Sequence, residues 1–373
     1  MKLSEKQVVT ENEFVNTVFS DLTNRQQQII LEFTELSSEN VESLIVILKQ
    51  FDAIYNFDGF SLTCIIQLSA ISTFKERIND LDIQEQLQKI VQNHAVIWQA
   101  GRFNLNVSET PLIYGILNVT PDSFYDGGAY FDQEAAFKQV EKMVADGANV
   151  IEVGGQTTRP GGFVEVEPEE EIKRIAPSIK LIQKSFPQIV IAVDTYKYEV
   201  MKAVVELGVD IINDVNAFTD DNRKLELMKN SNVGLLTMHS SRDVEYHDLT
   251  EEMTKFFEQN LSDLTNAGIA IARIALDQGI GYAKVADGYQ DYAMMRNLDQ
   301  LNYLNRPIMV AISRKGFGAK LFNLAKEDRL SVTLIAESFM YLHGGRILRV
   351  HDVKETVQLV KMLDTINTAF WHR

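Results

Sequence analysis

Hydrophobic and polar residues alternate along positions 112–352 in the pattern typical of buried strands followed by amphipathic helices. Short apolar runs predict the strands, and stretches with apolar residues every three or four positions predict the helices. The predicted strands are Leu112–Asn118, Val150–Gly154, Val190–Asp194, Asp210–Asp214, Gly234–His239, Ile274–Asp277, Pro307–Ser313 and Arg346–His351. The predicted helices between them include Glu169–Lys184, Lys197–Glu206, Glu251–Asn266 and Leu330–Leu342. Eight strands alternating with helices over about 260 residues indicate a (β/α)8 TIM barrel, an α/β fold.

The first 101 residues follow a different pattern, without polar motifs at strand ends. Helix-like apolar spacing recurs in four segments, and a fifth segment is typical of a strand. The helical segments are Glu13–Leu22, Arg25–Leu36, Val41–Phe51 and Ile83–Trp98, and the strand is Ser61–Leu68. We therefore expect residues 1–101 to form a small α or α+β extension of unknown role. Residues 102–373 then form the barrel.

Composition narrows the possible functions. A single cysteine, Cys64, excludes an internal disulfide framework and a multi-cysteine metal site. The net charge of −16 argues against a nucleic-acid partner, although a local cationic pocket still permits a small anionic substrate. The first residues lack the apolar core of a signal peptide, and no apolar run approaches the roughly 20 residues that span a bilayer. We expect a cytoplasmic protein without a membrane partner.

Polar side chains cluster where the predicted strands end. After the first strand, residues 115–128 read Gly-Ile-Leu-Asn-Val-Thr-Pro-Asp-Ser-Phe-Tyr-Asp-Gly-Gly. The second is followed by Gly-Gly-Gln-Thr-Thr-Arg-Pro-Gly-Gly, residues 154–162. Later strands end in Asp194-Thr195, Asn213-Asp214, Met238-His239, Asp277-Gln278-Gly279, Ser313-Arg314-Lys315 and Arg349-Val350-His351-Asp352. In a barrel these groups meet at one face, where such folds carry their active sites.

These motifs closely resemble, in order across residues 112–352, the signatures of the dihydropteroate synthase family. The resemblance implies a transferase of folate biosynthesis. It would condense 6-hydroxymethyl-7,8-dihydropterin pyrophosphate with p-aminobenzoate, giving 7,8-dihydropteroate and pyrophosphate. The resemblance also implies Mg²⁺ as cofactor, two mobile loops over the site, sulfonamides as inhibitors and a homodimer.

By the same resemblance, each matching residue has an expected role. The pterin would contact Asp194, Asn213, Met238, Asp277 and Lys315. The pyrophosphate would contact Asn118, Thr158, Arg349 and His351, with Asn118 also a ligand of Mg²⁺. The p-aminobenzoate would contact Phe124, Thr158, Pro160, Tyr282 and Gly316. Catalysis would depend on Asp126, Arg159 and Lys315, with Asp126 receiving the proton of the amine.

Five positions depart from the usual family form: Gln156, Gln278, Tyr282, Ala283 and Gly316. Gly316 stands where a serine commonly donates its hydroxyl to the aminobenzoate carboxylate. We therefore expect an active enzyme with weakened or altered p-aminobenzoate binding and an altered response to sulfonamides.

Two other functions fit part of the pattern. A pterin-binding methyltransferase would share the barrel, but would not be expected to combine Thr-Arg-Pro-Gly, Ser-Arg-Lys and Arg-Val-His-Asp. A non-catalytic pterin-binding or regulatory protein would have no need for groups that serve both the nucleophile and the leaving group. The synthase is the favoured interpretation.

Overall fold

The structure, a computed structural model, describes residues 1–119, 128–156, 165–240, 246–282 and 288–370, without the side chains of residues 128–132. It divides into two compact units. The N-terminal unit contains residues 1–95, 299–303 and those from 361 onward, and the barrel unit contains residues 96–298 and 304–360. The domain boundary between residues 101 and 102 stays a prediction.

The N-terminal unit is an α+β structure around one four-stranded sheet. Its elements are β1 (Lys2–Glu5), α1 (Glu13–Ser20), β2 (Gln28–Thr34), α2 (Ser38–Gln50), β3 (Ile54–Phe57), β4 (Leu62–Gln67), α3 (Ile71–Glu76) and α4 (Leu81–Asn93). The strands run antiparallel in the order β1-β2-β4-β3. A core that includes Leu31, Phe33, Leu62 and Phe74 is fully buried.

Two sequence predictions for this unit are wrong. Arg25–Leu36 contains β2 instead of a helix, because Ile29, Leu31 and Phe33 alternate with period two and share the buried face. The helix predicted over Ile83–Trp98 ends at Asn93, and the chain continues into a strand.

The barrel unit begins with an antiparallel hairpin, β5 (Ile97–Ala100) and β6 (Phe103–Asn106). Trp98 is fully buried and its indole N–H donates to the carbonyl of Arg273 at 2.9 Å. Ala100 packs with Leu112 and Val190, which lie at the starts of barrel strands. The hairpin therefore closes the amino end of the barrel and leaves its carboxyl end for the site.

Eight parallel strands close the barrel, as the sequence predicted. They are β7 (Leu112–Asn118), β8 (Val150–Gly154), β9 (Val190–Asp194), β10 (Ile211–Asp214), β11 (Gly234–Met238), β12 (Ile274–Asp277), β13 (Ile308–Val310) and β14 (Ile347–Val350). Strand β14 pairs with β7 and completes the cylinder. The predicted strands over Pro307–Ser313 and Arg346–His351 are longer than those observed. Strand β13 ends at Val310, before the motif Ser313-Arg314-Lys315, and β14 ends at Val350, within the motif that begins at Arg349.

Helices surround the barrel. They are α5 (Gly128–Ala145), α6 (Pro168–Ser185), α7 (Tyr198–Glu206), α8 (Asn222–Lys229), α9 (Leu249–Asn266), α10 (Tyr289–Arg296), α11 (Phe317–Phe322), α12 (Leu330–Leu342) and α13 (Val353–Asn367). Helix α6 begins with Pro168 and three glutamates in its first turn, where the helix dipole favours negative charge. In the part of the chain that the structure describes, no helix is both long and apolar enough to span a bilayer.

Candidate active site

The carboxyl ends of the barrel strands bring the predicted pterin residues together. The strand register sets Asn213 opposite Asp194 and Met238 opposite Asp277. Residues opposite each other in neighbouring parallel strands project to the same side of the sheet. Asn213, Met238 and Asp277 are each at most 6% exposed, so the site is a largely dry slot.

Arg349 joins three of the strand ends. Its Nε donates to Glu152 Oε1 at 2.7 Å, its Nη2 also donates to Glu152, and Nη2 reaches Asp194 Oδ2 at 3.1 Å. The amide of Asn213 donates to the other oxygen of Glu152 at 3.2 Å. The structure thus places Arg349, predicted for pyrophosphate, in one network with two residues predicted for the pterin.

Burial and charge set the protonation of this network. Burial, and then the charge of Glu152, raise the pKa of Asp194, while Arg349 opposes the shift. Burial alone would lower the pKa of Arg349, but Glu152 and Asp194 outweigh it and raise that pKa. The arginine therefore stays charged while Asp194 is poised to change protonation with its surroundings.

Two oxygens of this network remain without a hydrogen bond. Asp194 Oδ1 and Asn213 Oδ1 are both buried and have no partner among the described residues. A buried acceptor without a donor costs about 1–3 kcal/mol. The site therefore offers two adjacent acceptors to a ligand whose edge carries N–H donors.

Lys315 and Asp277 form the other half of the slot. Burial lowers the pKa of Lys315 to about 8, although Asp277 favours its charged form. Burial likewise raises the pKa of Asp277 against the influence of Lys315. The Lys315 ammonium donates to the carbonyl of Ile280 and lies 5.3 Å from the ring centroid of Tyr282. A Cβ on Gly281, whose φ is +94°, would come within 2.8 Å of Lys315 Cδ, so glycine gives the lysine its space.

Asn118 and His351 lie at the ends of the first and last barrel strands. Asn118 is paired with Gly154 across β7 and β8 and is half-buried. His351 is exposed, and its backbone N–H and Nδ1 both lie 3.2 Å from Ser313 Oγ. Among the residues that the structure describes, no three carboxylate, histidine or cysteine side chains group as a metal site. The amide oxygen of Asn118 could contribute one ligand to a magnesium ion otherwise held by phosphate oxygens and water, and this site stays a prediction.

Several predicted residues lie outside the described parts of the chain. They are Phe124, Asp126, Thr158, Arg159 and Pro160, together with Ala283, one of the five positions that differ from the usual family form. The first and second loop motifs fall mostly in these segments. Their roles stay predictions.

Gln156, at the start of the second loop motif, is hydrogen-bonded to Val166, which follows that motif in the chain. Its Oε1 accepts from the backbone N–H of Val166 at 2.8 Å and from Lys197 Nζ at 2.6 Å. Lys197 also donates to the Val166 carbonyl and to Glu171 at 2.8 Å. The side chains of Gln156, Lys197 and Glu171 are buried, and the negative charge of Glu171 already balances the positive charge of Lys197. A neutral glutamine fits this position, whereas a glutamate would add an unbalanced buried charge.

Gln278 and Gly316 also differ from the usual family form, but only Gly316 lies near the predicted p-aminobenzoate site. The Gln278 amide points to helix α10 and donates to the Met294 carbonyl at 2.9 Å, so it has a packing role. Gly316 is exposed, directly precedes α11 and follows Lys315. Together with Tyr282, Gly316 lies in the neighbourhood of Lys315, where the p-aminobenzoate site was predicted.

Sequence reasoning missed Glu152, which bonds to both Arg349 and Asn213. A signal for it was available, because one carboxylate interrupts the apolar strand Val150–Gly154 at a position that is 1% exposed. A charge in a fully buried strand needs a partner, and Arg349 supplies it from β14, which is separated from β8 by β7 in the barrel.

Comparison with known proteins agrees with this geometry. The family model described as "Pterin binding enzyme" matches residues 114–351. A dihydropteroate synthase of Clostridium beijerinckii is 36% identical over 267 residues, covering 71% of this chain and 98% of that protein. A Burkholderia cenocepacia dihydropteroate synthase complexed with 7,8-dihydropteroate aligns with a TM-score of 0.65 at 28% identity, covering 74% of this chain and 98% of the other. A Xanthomonas albilineans dihydropteroate synthase with 4-aminobenzoic acid aligns with a TM-score of 0.68 at 30% identity, covering 74% and 99%.

Proposed function

Because this chain belongs to the dihydropteroate synthase family of pterin-binding enzymes, it is a transferase of folate biosynthesis, and we propose how its residues divide the reaction. The amine of p-aminobenzoate attacks the methylene carbon of 6-hydroxymethyl-7,8-dihydropterin pyrophosphate. A C–N bond forms, the C–O bond to pyrophosphate breaks, and the amine loses a proton. The products are 7,8-dihydropteroate and pyrophosphate.

The pterin binds in the slot between Asp194, Asn213, Met238, Asp277 and Lys315. The observation that carries this assignment is the pair of buried, unpartnered oxygens Asp194 Oδ1 and Asn213 Oδ1. A pterin edge presents N–H donors, and pairing them with these oxygens removes the cost of leaving the oxygens bare. Met238 supplies an apolar surface for one face of the ring.

The pyrophosphate leaves toward the side of Arg349, His351 and Asn118. Arg349 carries more N–H groups than its three bonds to Glu152 and Asp194 use, so it retains donors for phosphate. Magnesium, held by Asn118 together with the pyrophosphate oxygens, would offset the charge that develops on the leaving group. Glu152 keeps Arg349 at the slot, where its charge acts on the departing oxygens.

The p-aminobenzoate binds beside Lys315, Tyr282 and Gly316. Tyr282 and Lys315 form the described wall of this subsite. Thr158, Pro160 and Phe124 complete it in our proposal, with Arg159 and Asp126 beside the reacting amine. Asp126 accepts the amine proton as the C–N bond forms.

We further propose a homodimer and a cytoplasmic location. Helix α12 supports the first, because Ile335, Phe339 and Leu342 are 70%, 41% and 52% exposed at positions four and three residues apart. Such spacing puts the three apolar side chains on one stripe of the helix. A second copy of this chain would cover that stripe.

The test incubates the protein with dihydropterin pyrophosphate in the presence of Mg²⁺, and measures the rate of pyrophosphate release with and without p-aminobenzoate. We expect release that depends on p-aminobenzoate and falls by at least about a hundredfold in Lys315→Ala. Lys142→Ala, which removes an exposed lysine of α5, serves as the matched control and should keep full activity. Pterin binding without release would contradict the catalytic assignment and favour a pterin-binding regulatory protein.

A further inference from the structure

The segments that follow β13 and β14 stay aligned in the register of the two strands beyond the last paired residues. Val310 lies opposite Leu348 in the parallel pair. The same offset of 38 residues relates Ser313 to His351, whose backbone N–H donates to Ser313 Oγ at 3.2 Å. His351 Nδ1 lies at the same distance from that hydroxyl. The two polar motifs are therefore bonded to each other directly after the strands end.

The next residues in the same register, Arg314 and Asp352, form a two-point ion pair. Arg314 Nε donates to Asp352 Oδ2 at 2.7 Å, and Nη2 donates to Oδ1 at 2.8 Å. Arg314 Nη1 donates to the carbonyl of Glu327 at 2.8 Å. The side chains are 20% and 17% exposed, so the pair is partly shielded from water. This forked geometry is more rigid than that of an ordinary surface pair.

The backbone of Arg314 has a conformation that needs support. Its φ is +54°, in the left-handed region that residues other than glycine rarely adopt. The N–H of Arg314 donates to Thr333 Oγ1 at 3.0 Å, and its carbonyl accepts from Arg329 Nη1 at 3.2 Å. Residues persist in this region when their surroundings fix them, and such positions often occur next to functional groups.

The left-handed turn sets the direction of the residue that follows. Lys315 turns back to donate to the Ile280 carbonyl and to lie over Tyr282. The charged groups that act on its ammonium are Asp277, Arg349, Asp291 and Asp194. The guanidinium of Arg314 is instead paired with Asp352.

We propose that Arg314 and Asp352 are positioning residues, which lock the ends of β13 and β14 and thereby hold Lys315 and His351 in their working places. The inference rests on the function proposed above for Lys315 and His351. Lys315 and His351 serve the substrates, and the Arg314–Asp352 pair, together with the bonds between Ser313 and His351, ties the two motifs together. The locked turn fixes the lysine for the pterin and p-aminobenzoate, and the histidine for the pyrophosphate.

A first test compares Asp352→Asn with Asp352→Glu in the full chain. Asp352→Asn should lower kcat for pyrophosphate release by about tenfold or more, because small displacements of positioned groups cost large factors in rate. The KM for dihydropterin pyrophosphate should rise by a smaller factor than kcat falls, because Asp194, Asn213 and Asp277 still hold the pterin while Lys315 and His351 are displaced. Asp352→Glu restores the charge and should recover most of kcat.

The matched control is Asp299→Asn, which breaks an ion pair of similar length, 2.9 Å to Arg25, within the N-terminal unit. It should leave kcat unchanged. Equal losses of kcat in Asp299→Asn and Asp352→Asn would indicate a general effect on stability and overturn the inference. Full kcat in Asp352→Asn would also overturn it.

A second readout does not depend on activity. Acetylation of Lys315 by acetic anhydride, followed by peptide mass spectrometry across a pH series, reports the pKa of its amine. The wild-type midpoint should lie near pH 8, and Asp352→Asn should move it upward by about one unit as the lysine reaches water. An unchanged midpoint would overturn the inference. If wild type shows no release that depends on p-aminobenzoate, the proposed function fails and the acetylation profile alone decides this inference.

Discussion

Gly316 leaves an unfilled position beside the predicted p-aminobenzoate site. Its φ is −70°, which any residue adopts, and a Cβ built there would meet no atom within 4 Å. A serine would therefore fit without strain and could donate its hydroxyl to the aminobenzoate carboxylate. We expect Gly316→Ser to lower the KM for p-aminobenzoate by a factor of about 2 to 12, which corresponds to one hydrogen bond of roughly 0.5–1.5 kcal/mol.

Steady-state kinetics with varied p-aminobenzoate measure this change. Gly316→Ala is the control, because it adds the same carbon atom without the hydroxyl. If Gly316→Ala lowers the KM as much as Gly316→Ser, the decrease is caused by the more rigid backbone and the hydroxyl explanation is wrong.

At the same scale, the sequence could not distinguish two aspartates that both end barrel strands. Asp214 accepts from Lys224 at 2.9 Å and from the backbone N–H of Phe218 at 3.0 Å, so it supports its own loop. Asp194 keeps one bare buried oxygen. Alternation along a strand separates inward from outward positions, but the partner that each carboxylate finds is a property of the folded barrel.

Among the elements, the contact of α12 with α13 contains a buried carboxylate. Glu337 of α12 is fully buried, and its Oε2 accepts from the hydroxyl of Thr356 of α13 at 3.3 Å. Burial, aided by the charge of Asp352, raises the pKa of Glu337 to about 8 against the effect of Thr356. The helices therefore pack around a carboxyl group that is protonated at neutral pH.

This raised pKa makes stability depend on pH. An unfolded chain releases the Glu337 proton near pH 4.5 and the folded chain near pH 8, so stability falls as pH rises through this window. The fall is on the order of a few kcal/mol. We expect Glu337→Gln to raise the melting temperature relative to wild type more at pH 8.5 than at pH 5. Thermal unfolding at both pH values measures this difference.

The control for that experiment is Glu206→Gln, which changes an exposed residue of α7. Its melting temperature should follow that of wild type at both pH values. A parallel pH dependence for Glu337→Gln and wild type would show that Glu337 ionises in the folded protein as it does in water.

The elements also show how far periodicity can predict structure. The barrel strands and helices were found because their apolar runs are short, separated and followed by polar motifs. The N-terminal segment Gln28–Thr34 was mistaken for a helix because apolar residues at 29, 30, 31 and 33 satisfy both periods. The segment forms a strand because it pairs with β1 and β4, and these contacts with distant parts of the sequence are not visible in the local pattern.

At the scale of the molecule, each unit has its own core. The N-terminal core draws in a residue from the other end of the chain, because Phe370 lies 4.3 Å from Phe51 between ring centroids. Phe51 in turn meets Phe74 edge to face at 5.4 Å. No local pattern could have predicted this, since the contact joins segments more than 300 residues apart.

We expect Phe370→Ala to destabilise the N-terminal unit by about 1–3 kcal/mol, less than for a fully buried phenylalanine because Phe370 is only half-buried. Chemical denaturation followed by circular dichroism measures the loss. Phe60→Ala, at a position that is 87% exposed in the same unit, is the control and should have little effect. Equal stability of the two variants would show that the ring stack contributes nothing to the unit.

The make-up of the N-terminal unit has a consequence for protein synthesis. Residues 1–95 leave the ribosome early, but their unit also contains residues 299–303 and those from 361 onward. The face of Phe51 that meets Phe370 therefore stays uncovered until almost the whole barrel has been translated. The segment that carries the four-stranded sheet is therefore translated well before the residues that complete its core.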